Sequence, residues 1–338
     1  MVSIKDIASA CGVSIATVSK ALNDHNDVSE STKAMIRETA KKLGYLPNSQ
    51  ARALKTNRTY NLGVLFAEKA QSGLTHSYFA SVLNGFKNRA ESNGYNITFI
   101  SRRIGSAKMT YYEHCICRNV DGVVVACVDD FEDSEVSELL KSSVPTVTID
   151  YKSPNNPAVI SDNALGMKTL TEYIYSMGHR KIAYIYGDPS KVTSIRTDSF
   201  TETLGSLNIE LRDDYLLQGR YHDPESTEKL ADYLVRLDEP PTCIILPDDF
   251  SAIGALTAFE KLGLNVPDDI SIAGYDGILL SHFLNPRLTT YEQDTERIGA
   301  EAAAQLISLI KKEISPDVSE VVVGGCLRKG SSVKDINR

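Results

Sequence analysis

Two patterns of apolar and polar positions divide the chain near residue 60. In residues 1–46, apolar positions recur three and four residues apart, which is typical of short amphipathic helices. From Asn61 onward, β-branched and aliphatic runs such as DGVVVACV and KIAYIYG alternate with longer helical patterns. This alternation predicts parallel sheets covered by helices on both faces, so we expect an α/β protein preceded by a small all-helical segment.

The first segment predicts three helices. Lys5–Cys11 and Ile15–Leu22 are separated by Gly12, and Ser14 can cap the second helix. Ser29 can cap a third helix. The predicted apolar stripe of that third helix comprises Met35, Ile36, Ala40 and Leu43. Two helices joined by a short turn form a helix-turn-helix, whose second helix can enter the major groove of DNA.

The second helix offers side chains that suit DNA. Ile15 and Ala16 would lie at its exposed start, where they can make only apolar contacts, for example with thymine methyl groups. Lys20, one turn later, can donate to guanine O6 and N7 or to a phosphate. Further donors to phosphate oxygens are Ser14, Thr17, Asn23, Ser29 and Thr32. The alternative interpretation of this segment is a three-helix bundle that binds a partner protein.

The charge distribution favours a polyanionic partner for the first segment. The whole chain of 338 residues has a formal net charge of −8. Residues 1–58 nevertheless contain nine Lys and Arg against five Asp and Glu, a net +4, and the remaining 27 and 39 give −12. A basic segment joined to an acidic body is typical of nucleic-acid binding, although ordinary solvated faces also reach this charge.

Several classes of protein are not expected from the motifs. The sequence contains no phosphate-binding loop, dinucleotide fingerprint, nucleophile elbow or zinc-protease motif. Its six cysteines form no C-x-x-C pair, and His114, Cys115 and Cys117 lack a second ligand pair at zinc spacing, so we expect neither a metal nor a cofactor. There is no run of 18 apolar residues and no secretory leader, so we expect a cytoplasmic location.

Carboxylates follow two of the predicted strands, in LPDD (246–249) and GYDG (274–277). In doubly wound folds, ligands bind beyond the carboxyl ends of the strands. These carboxylates can therefore accept hydrogen bonds from a polyhydroxylated or cationic ligand, and helix caps or surface turns explain them equally well. No nucleophile or base accompanies them in the sequence.

Longer motifs along the chain match those of a known family, and those of the first segment also follow its order and spacing. They are IKDIASACGVSIATVSKALN and VSESTKAMIRETAKKLGYLPNSQARALKT in the first segment, then DGVVV, SMGHRKIAYIYG, LPDDFSAIGAL, LGLNVPDDISIAGYDG and NPRLTTYEQD. On these residues the chain resembles the LacI/GalR family of bacterial transcription regulators over essentially its whole length. The resemblance implies a helix-turn-helix domain followed by a two-lobed, type I periplasmic-binding-protein-like domain of doubly wound parallel sheets.

The resemblance also implies domain limits. We expect a DNA-binding domain at 1–46, a hinge linker at 47–60 and an effector-binding domain at 61–338. Within the last domain, the first lobe is expected at about 61–160 and 290–320, and the second at about 161–289 and 321–332. Three crossovers are expected to join the two lobes.

In the family, the linker folds into a hinge helix when a dimer meets its operator, and a leucine of each subunit enters the minor groove. Leu54 occupies that position, and Ala51 is small enough for close approach to DNA. Inserting an apolar side chain kinks DNA at an unstacking cost of roughly a few kcal/mol. Tyr45 and Asn48, in GYLPN, are further expected DNA contacts. A two-fold dimer implies a pseudo-palindromic operator.

For the cleft between the lobes, the resemblance implies six effector-binding residues. They are Tyr78, Phe79, Asp150, Arg196, Asp249 and Asp276. An arginine accompanied by several carboxylates suits a sugar or a sugar derivative. Several departures from the family pattern affect this prediction. Ser199 stands where glycine is usual, the loop KAQSGLTHSYF is longer than the common form, and Ser77 stands where proline is frequent. Asp248 stands where asparagine is usual, and Gly277 stands where a second aspartate is common.

These expectations describe a sequence-specific DNA-binding repressor that works as a homodimer in the cytoplasm, on the nucleoid, and is not an enzyme. A small sugar-like effector between the lobes is expected to control its operator affinity. Three alternatives are an exported solute-binding module, a two-lobed enzyme of carbohydrate metabolism, and a regulator controlled by a partner protein. The missing leader and catalytic motifs count against the first two, and titration with sugars tests the third.

Overall fold

The computed structural model describes residues 2–45, 58–67, 73–128, 130–316 and 320–337. The chain divides into two units, Met1–Thr59 and Tyr60–Arg338. The described part of the first unit is all-helical, and the second is built on two six-stranded sheets.

Three helices form the described part of the first unit: α1 (Ile4–Cys11), α2 (Ile15–Leu22) and α3 (Glu30–Leu43). Gly12 and Gly44 end α1 and α3 with φ angles of 66° and 69°, a left-handed conformation that glycine adopts without a steric penalty. The helices share one buried core, which comprises Ile7, Ala8, Val18, Ala21, Val28, Ile36 and Ala40.

The predicted apolar stripe of α3 is only partly buried. Ile36 and Ala40 lie in the core, whereas Met35 and Leu43 are 42% and 40% exposed. In so small a bundle, the buried part of α3 is the narrow strip that faces the other two helices, so apolar positions on its flanks stay at the surface.

The first sheet of the second unit is parallel throughout. In spatial order its strands are β13 (Glu320–Val323), β7 (Ala158–Ser161), β6 (Thr146–Ile149), β5 (Gly122–Val128), β1 (Asn61–Ala67) and β2 (Asn96–Ile100). A small hairpin of β3 (Arg103–Ile104) and β4 (Ala107–Lys108) follows β2.

The second sheet is parallel except at one edge. Its spatial order is β14 (Cys326–Arg328), β12 (Thr289–Glu292), β11 (Ser271–Asp276), β10 (Cys243–Ile245), β8 (Ile182–Tyr186) and β9 (Leu216–Gln218). Only β14 runs antiparallel to its neighbour β12.

Helices cover the sheets as the alternating pattern predicts. Those packed on the first sheet are α4 (Ser77–Ser92), α5 (Tyr111–Cys117), α6 (Ser134–Lys141) and α11 (Thr295–Ile310). Those packed on the second are α7 (Asn163–Ser176), α8 (Lys191–Ser206), α9 (Pro224–Val235) and α10 (Ala252–Leu262). We call each sheet with its helices a lobe. The predicted doubly wound α/β class is confirmed.

The chain passes between the lobes three times: between β7 and α7, between β12 and α11, and between β13 and β14. Because β12 belongs to the second sheet and β13 to the first, the lobe limits lie about three residues beyond the expected positions 290 and 320.

Two helices of the first lobe pack backbone to backbone. A Cβ atom added to Gly85 of α4 would lie 2.1 Å from the carbonyl oxygen of Glu296, and one added to Gly299 of α11 would lie 1.9 Å from that of Val82. Only glycine fits these contacts, so α4 and α11 form one tightly packed layer on the sheet.

Candidate functional site

The predicted DNA-reading face of α2 is exposed. Val18 points into the core, whereas Ile15 is 49% exposed and Ala16 and Lys20 also face solvent. The Ser14 hydroxyl caps the helix by accepting a hydrogen bond from the backbone N–H of Thr17 at 3.0 Å. The helix therefore presents the same outer side chains that the sequence predicts.

A second capped helix start lies in the same unit. The Ser29 hydroxyl accepts from the backbone N–H of Thr32 at 3.2 Å and so fixes the start of α3. Free N–H groups and the positive end of a helix dipole suit a phosphate at such a start.

Lys20 and Asn23, two further predicted DNA contacts, also have partners within the protein. The Lys20 ammonium forms an ion pair with Asp27, a residue that the sequence analysis did not select. This hydrogen bond lowers the pKa of the Asp27 carboxyl group. The Asn23 side-chain amide donates to the carbonyl oxygen of Ser19 at 2.7 Å.

A buried lysine fixes the loop between α2 and α3. Lys33 is 5% exposed at its side chain and pairs with Asp24 at 3.1 Å and with Glu30 at 2.7 Å. Arg37 also contacts Asp24, at 2.8 Å. These bonds hold the loop in place without involving the exposed face of α2.

The remaining predicted DNA contacts are described only in part. Tyr45 is partly buried and packs against the core of the first unit. Asn48, Ala51 and Leu54 lie outside the described residues.

The second unit contains a cavity of about 620 Å³ between its lobes, at the carboxyl ends of the strands. It is lined by five of the six predicted effector-binding residues: Tyr78, Phe79, Asp150, Arg196 and Asp276. The volume falls within the range of roughly 300–1,000 Å³ that small-molecule sites occupy.

Arg196 forms the floor of this cavity. Its Nε atom donates to the Asn163 side-chain oxygen at 2.7 Å, and its guanidinium carbon lies 3.8 Å from the centre of the Tyr275 ring. A terminal nitrogen lies 3.9 Å from the Asp276 carboxylate. The buried cation is thus held by an amide, an aromatic face and a carboxylate.

Asp276 lies beside the arginine at the end of β11. The Gln293 side-chain amide donates to it at 2.7 Å, and the Gln293 oxygen in turn accepts from the Ser161 hydroxyl. Burial raises the pKa of Asp276 to about 7, and the charge of Arg196 partly opposes this shift. Asp276 can therefore change its protonation state near neutral pH.

Asp150 faces the cavity from the first lobe. It accepts from the backbone N–H of Ser161 at 2.7 Å and from the Tyr78 hydroxyl at 3.3 Å. Burial raises the pKa of Asp150, and the bond from Ser161 partly opposes the shift.

The structure corrects the position predicted for Asp249. Among the described residues that line the cavity, Asp248 is present and Asp249 is not. Asp249 is fully buried behind it, where its carboxylate accepts from the Thr290 hydroxyl at 2.6 Å and from the Ile278 backbone N–H at 2.8 Å. Successive side chains after a strand point in different directions, and a sequence of two aspartates does not say which one faces the ligand.

Aromatic rings that the sequence analysis missed line the edge of the cavity. Phe131 and Tyr151 stack with ring centres 3.8 Å apart, and the Tyr151 hydroxyl donates to Glu132 at 2.9 Å. His76 of the first lobe stacks on His222 of the second at 4.5 Å. These residues follow strand ends, and that position is the only signal for them in the sequence.

A second cavity, of about 640 Å³, lies at the crossovers between the lobes. It shares Tyr78, Asp276 and Gln293 with the first, so these side chains form the wall between the two.

The described residues contain no group of three or more His, Cys, Asp or Glu side chains arranged for a metal ion. Among the same residues, every helix falls short of the length and apolarity that crossing a bilayer requires.

Comparison with known proteins agrees with this geometry. Residues 3–48 match the family described as "Bacterial regulatory proteins, lacI family", and residues 171–333 match a periplasmic binding protein-like domain. The probable HTH-type transcriptional repressor ExuR of Bacillus subtilis (strain 168) is 34% identical over 317 residues, which cover 92% of both proteins. The chain belongs to the LacI family. It is a DNA-binding transcriptional regulator and not an enzyme, as predicted.

Two further similarities extend over the whole LacI-family chain. The HTH-type transcriptional repressor PurR of Mannheimia succiniciproducens is 32% identical over 99% of this chain and all of its own length. The Lac repressor dimer bound to operator and the anti-inducer ONPF covers 98% of this chain and 99% of its own, with 24% identity and a TM-score of 0.83, and so shares the fold.

Proposed function

We propose that this LacI-family protein is a homodimeric repressor whose affinity for a pseudo-palindromic operator is controlled by a neutral sugar or sugar derivative. The ligand would bind in the cavity between the lobes. Such a regulator works on the bacterial nucleoid, in the cytoplasm. We retain the predicted domain limits of 1–46, 47–60 and 61–338 for this proposal.

The observation that carries the effector proposal is the composition of the cavity. Buried Asp248 and partly buried Asp150 and Asp276 offer carboxylate acceptors, and buried Arg196 offers donors. The hydroxyl groups of a sugar can donate to these carboxylates and accept from Arg196. The Phe79 ring offers an apolar face to the carbon-bound hydrogens of the sugar.

The charges of the lining disfavour a strongly anionic ligand. Six carboxylates of the described lining stand against three Lys and Arg side chains. The six are Asp130, Glu132, Asp150, Asp188, Asp248 and Asp276; the three are Lys191, Arg196 and Arg220. A ligand that brought further negative charge into this site would meet net repulsion at low dielectric.

For DNA, we propose that Ile15, Ala16 and Lys20 contact base edges. Supporting contacts to phosphates or to the minor groove would come from Ser14, Thr17, Asn23, Ser29, Thr32, Tyr45, Asn48, Ala51 and Leu54. The exposure of the α2 face supports the first set, and the capped starts of α2 and α3 support the serines.

The dimer proposal rests on an exposed apolar pair in the second unit. Leu279 and Phe283 follow β11 and are 72% and 77% exposed. Large apolar side chains at this exposure are typical of a protein interface. We expect Phe283→Glu to convert the dimer to monomers in sedimentation velocity, and unchanged dimers would place the interface elsewhere.

Binding that favours one arrangement of the lobes would shift the dimer between operator-competent and operator-incompetent states.

To test the DNA half of the proposal, an operator is selected in vitro from random duplexes with the full chain. We expect Lys20→Ala and Leu54→Ala to lose electrophoretic shift of this operator at physiological salt. Lys87→Ala, which removes an exposed lysine paired with Glu91 on α4, is the control. Parent-like binding by the first two variants would contradict the DNA face.

To test the effector half, neutral sugars are screened for raised thermal stability and altered operator shift. We expect Asp276→Asn to weaken the response to an active sugar at pH 8, without abolishing it, while it keeps operator binding. If no sugar changes either quantity, the effector half is wrong and control by a partner protein becomes the better hypothesis.

A further inference from the structure

The outer face of α2 carries an ion pair that the fold does not need. Lys20 is the only cation of α2, and Asp27 reaches back to it from the loop before α3. Their side chains are 47% and 53% exposed. Exposed pairs of this kind contribute little to stability.

Other contacts hold the loop that carries Asp27. The backbone N–H of His25 donates to the carbonyl oxygen of Lys20 at 3.0 Å, and Val28 is buried in the core. Asp24 is bound to Lys33 and Arg37. The position of Asp27 is therefore fixed by its neighbours. Its carboxylate is not needed to hold the loop and can act on Lys20 at the surface.

On a DNA-reading face, this carboxylate has an effect that depends on the base sequence. Phosphates are present on every duplex, and a carboxylate beside Lys20 opposes their approach through repulsion and through partial neutralisation of the ammonium. Guanine O6 and N7 occur only at particular sites. Because an ammonium has three N–H donors, Lys20 can keep one bond to Asp27 and use the other two on guanine.

Resting on the DNA face proposed above, we propose that Asp27 is a specificity-determining positioning residue. It directs the Lys20 ammonium towards base edges and weakens binding to DNA that lacks the operator. It acts through Lys20 and contributes to the ratio of specific to non-specific affinity more than to operator affinity itself.

The test compares Asp27→Asn with Glu38→Gln. Glu38 forms an exposed pair with Lys42 on α3, so its change removes the same charge from a similar pair in the same unit. Fluorescence anisotropy measures binding of the full-length variants to the selected operator and to a duplex without it, over a series of KCl concentrations. Circular dichroism checks that each variant is folded.

We expect Asp27→Asn to bind the non-operator duplex about two- to five-fold more tightly than the parent and than Glu38→Gln. The slope of log affinity against log salt should steepen by about 0.9, because Lys20 then neutralises one more phosphate. Asp27→Glu should restore the parent behaviour, and the effect of Asp27→Asn should vanish when Lys20 is alanine.

The outcomes separate this inference from the proposed function. Equal behaviour of Asp27→Asn and Glu38→Gln would mean that only net charge matters, which would overturn the inference and leave the DNA face intact. An effect of Asp27→Asn that persists without Lys20 would also overturn it. If Lys20→Ala binds both duplexes like the parent, the proposed DNA face itself is wrong.

Discussion

Two exposed ion pairs of the first unit and one buried ion pair beneath the cavity of the second lie in opposite environments. In the first unit, Lys20 with Asp27 and Lys42 with Glu38 form ion pairs at the surface. In the second, Arg196 and Asp276 meet under the cavity with side chains 6% and 11% exposed. The same residue types therefore serve two different physical purposes in one chain.

The difference follows from solvent. Water and salt screen exposed charges, so they contribute little to folding and still act on a polyanion that displaces its counterions. Buried charges lose hydration and depend on fixed partners, so their removal destabilises the fold and their pKa values move. The comparison predicts large stability effects in the cavity and mainly binding effects on α2.

The largest expected effect is that of Arg196→Met. We expect it to lower the free energy of unfolding of the second unit by about 3 kcal/mol, because the carboxylate of Asp276 loses its buried counter-charge. The chain has no tryptophan, so urea unfolding is followed by tyrosine circular dichroism. Arg220→Met, at a cavity residue 67% exposed, is the control and should change stability by less than about 0.5 kcal/mol. Equal losses of unfolding free energy in the two variants would contradict the expected difference between buried and exposed charges.

The next effect is a dependence of effector affinity on pH. With a folded pKa of about 7, the ionised fraction of Asp276 rises from roughly a tenth at pH 6 to nine tenths at pH 8. Sugar hydroxyls donate to the ionised form, so calorimetric affinity for an active sugar should rise about tenfold over this range. Asp276→Asn should remove the dependence, and a slope that survives in this variant would assign it to another group.

Ionisation of Asp276 affects the stability of the fold in the opposite direction to its effect on effector affinity. Its folded pKa lies above the ordinary value of 3.8, so between about pH 4 and 7 the folded state holds a proton that the unfolded state has lost. The contribution of Asp276 to stability therefore falls as pH rises through this window, and Asp276→Asn should flatten that part of the unfolding profile.

A smaller effect is expected from removing a serine N-cap, a feature that occurs in both units. The Ser14 and Ser190 hydroxyls each accept from the backbone N–H three residues later at 3.0 Å. Replacing either serine with alanine should cost about 1 kcal/mol of helix stability. We expect only Ser14→Ala to weaken the electrophoretic shift of the operator, and only Ser190→Ala, at the cavity wall, to weaken sugar binding. Loss of operator binding in Ser190→Ala would contradict this division.

The smallest effect concerns Ile15. Because this side chain is exposed in the free protein, Ile15→Ala should change the free energy of unfolding by less than about 0.5 kcal/mol. Operator affinity should fall about four-fold if one methyl-sized contact with thymine is lost. Replacing that thymine by deoxyuridine should give the parent the same loss and the variant no further loss. Independent losses would show that Ile15 does not contact the methyl group.

Much of the fold could be predicted because it depends on periodic patterns. The break between the units, the helix-turn-helix and the parallel sheets all follow from the spacing of apolar residues and the glycines after helices. Asp150, Arg196 and Asp276 could be assigned to one cavity because the resemblance to the LacI/GalR family implied it, and all three line that cavity.

The features that could not be predicted from the sequence depend on geometric details that the spacing of apolar residues does not encode. The choice between Asp248 and Asp249 depends on the direction of two adjacent side chains in one turn. The exposure of Met35 and Leu43 depends on how much of α3 the other helices cover. The ion pair of Lys20 with Asp27 joins residues seven positions apart across a loop, where no periodic rule applies.

The stacked imidazoles of His76 and His222 affect the rate at which a ligand can enter or leave the cavity. They belong to different lobes, and Phe250 covers the other face of His222 with ring centres 3.9 Å apart. Because the stack joins the lobes at the wall of the cavity, its opening becomes a step in ligand exchange. We expect the effector to leave more slowly than diffusion alone allows, because the stacked rings must separate first.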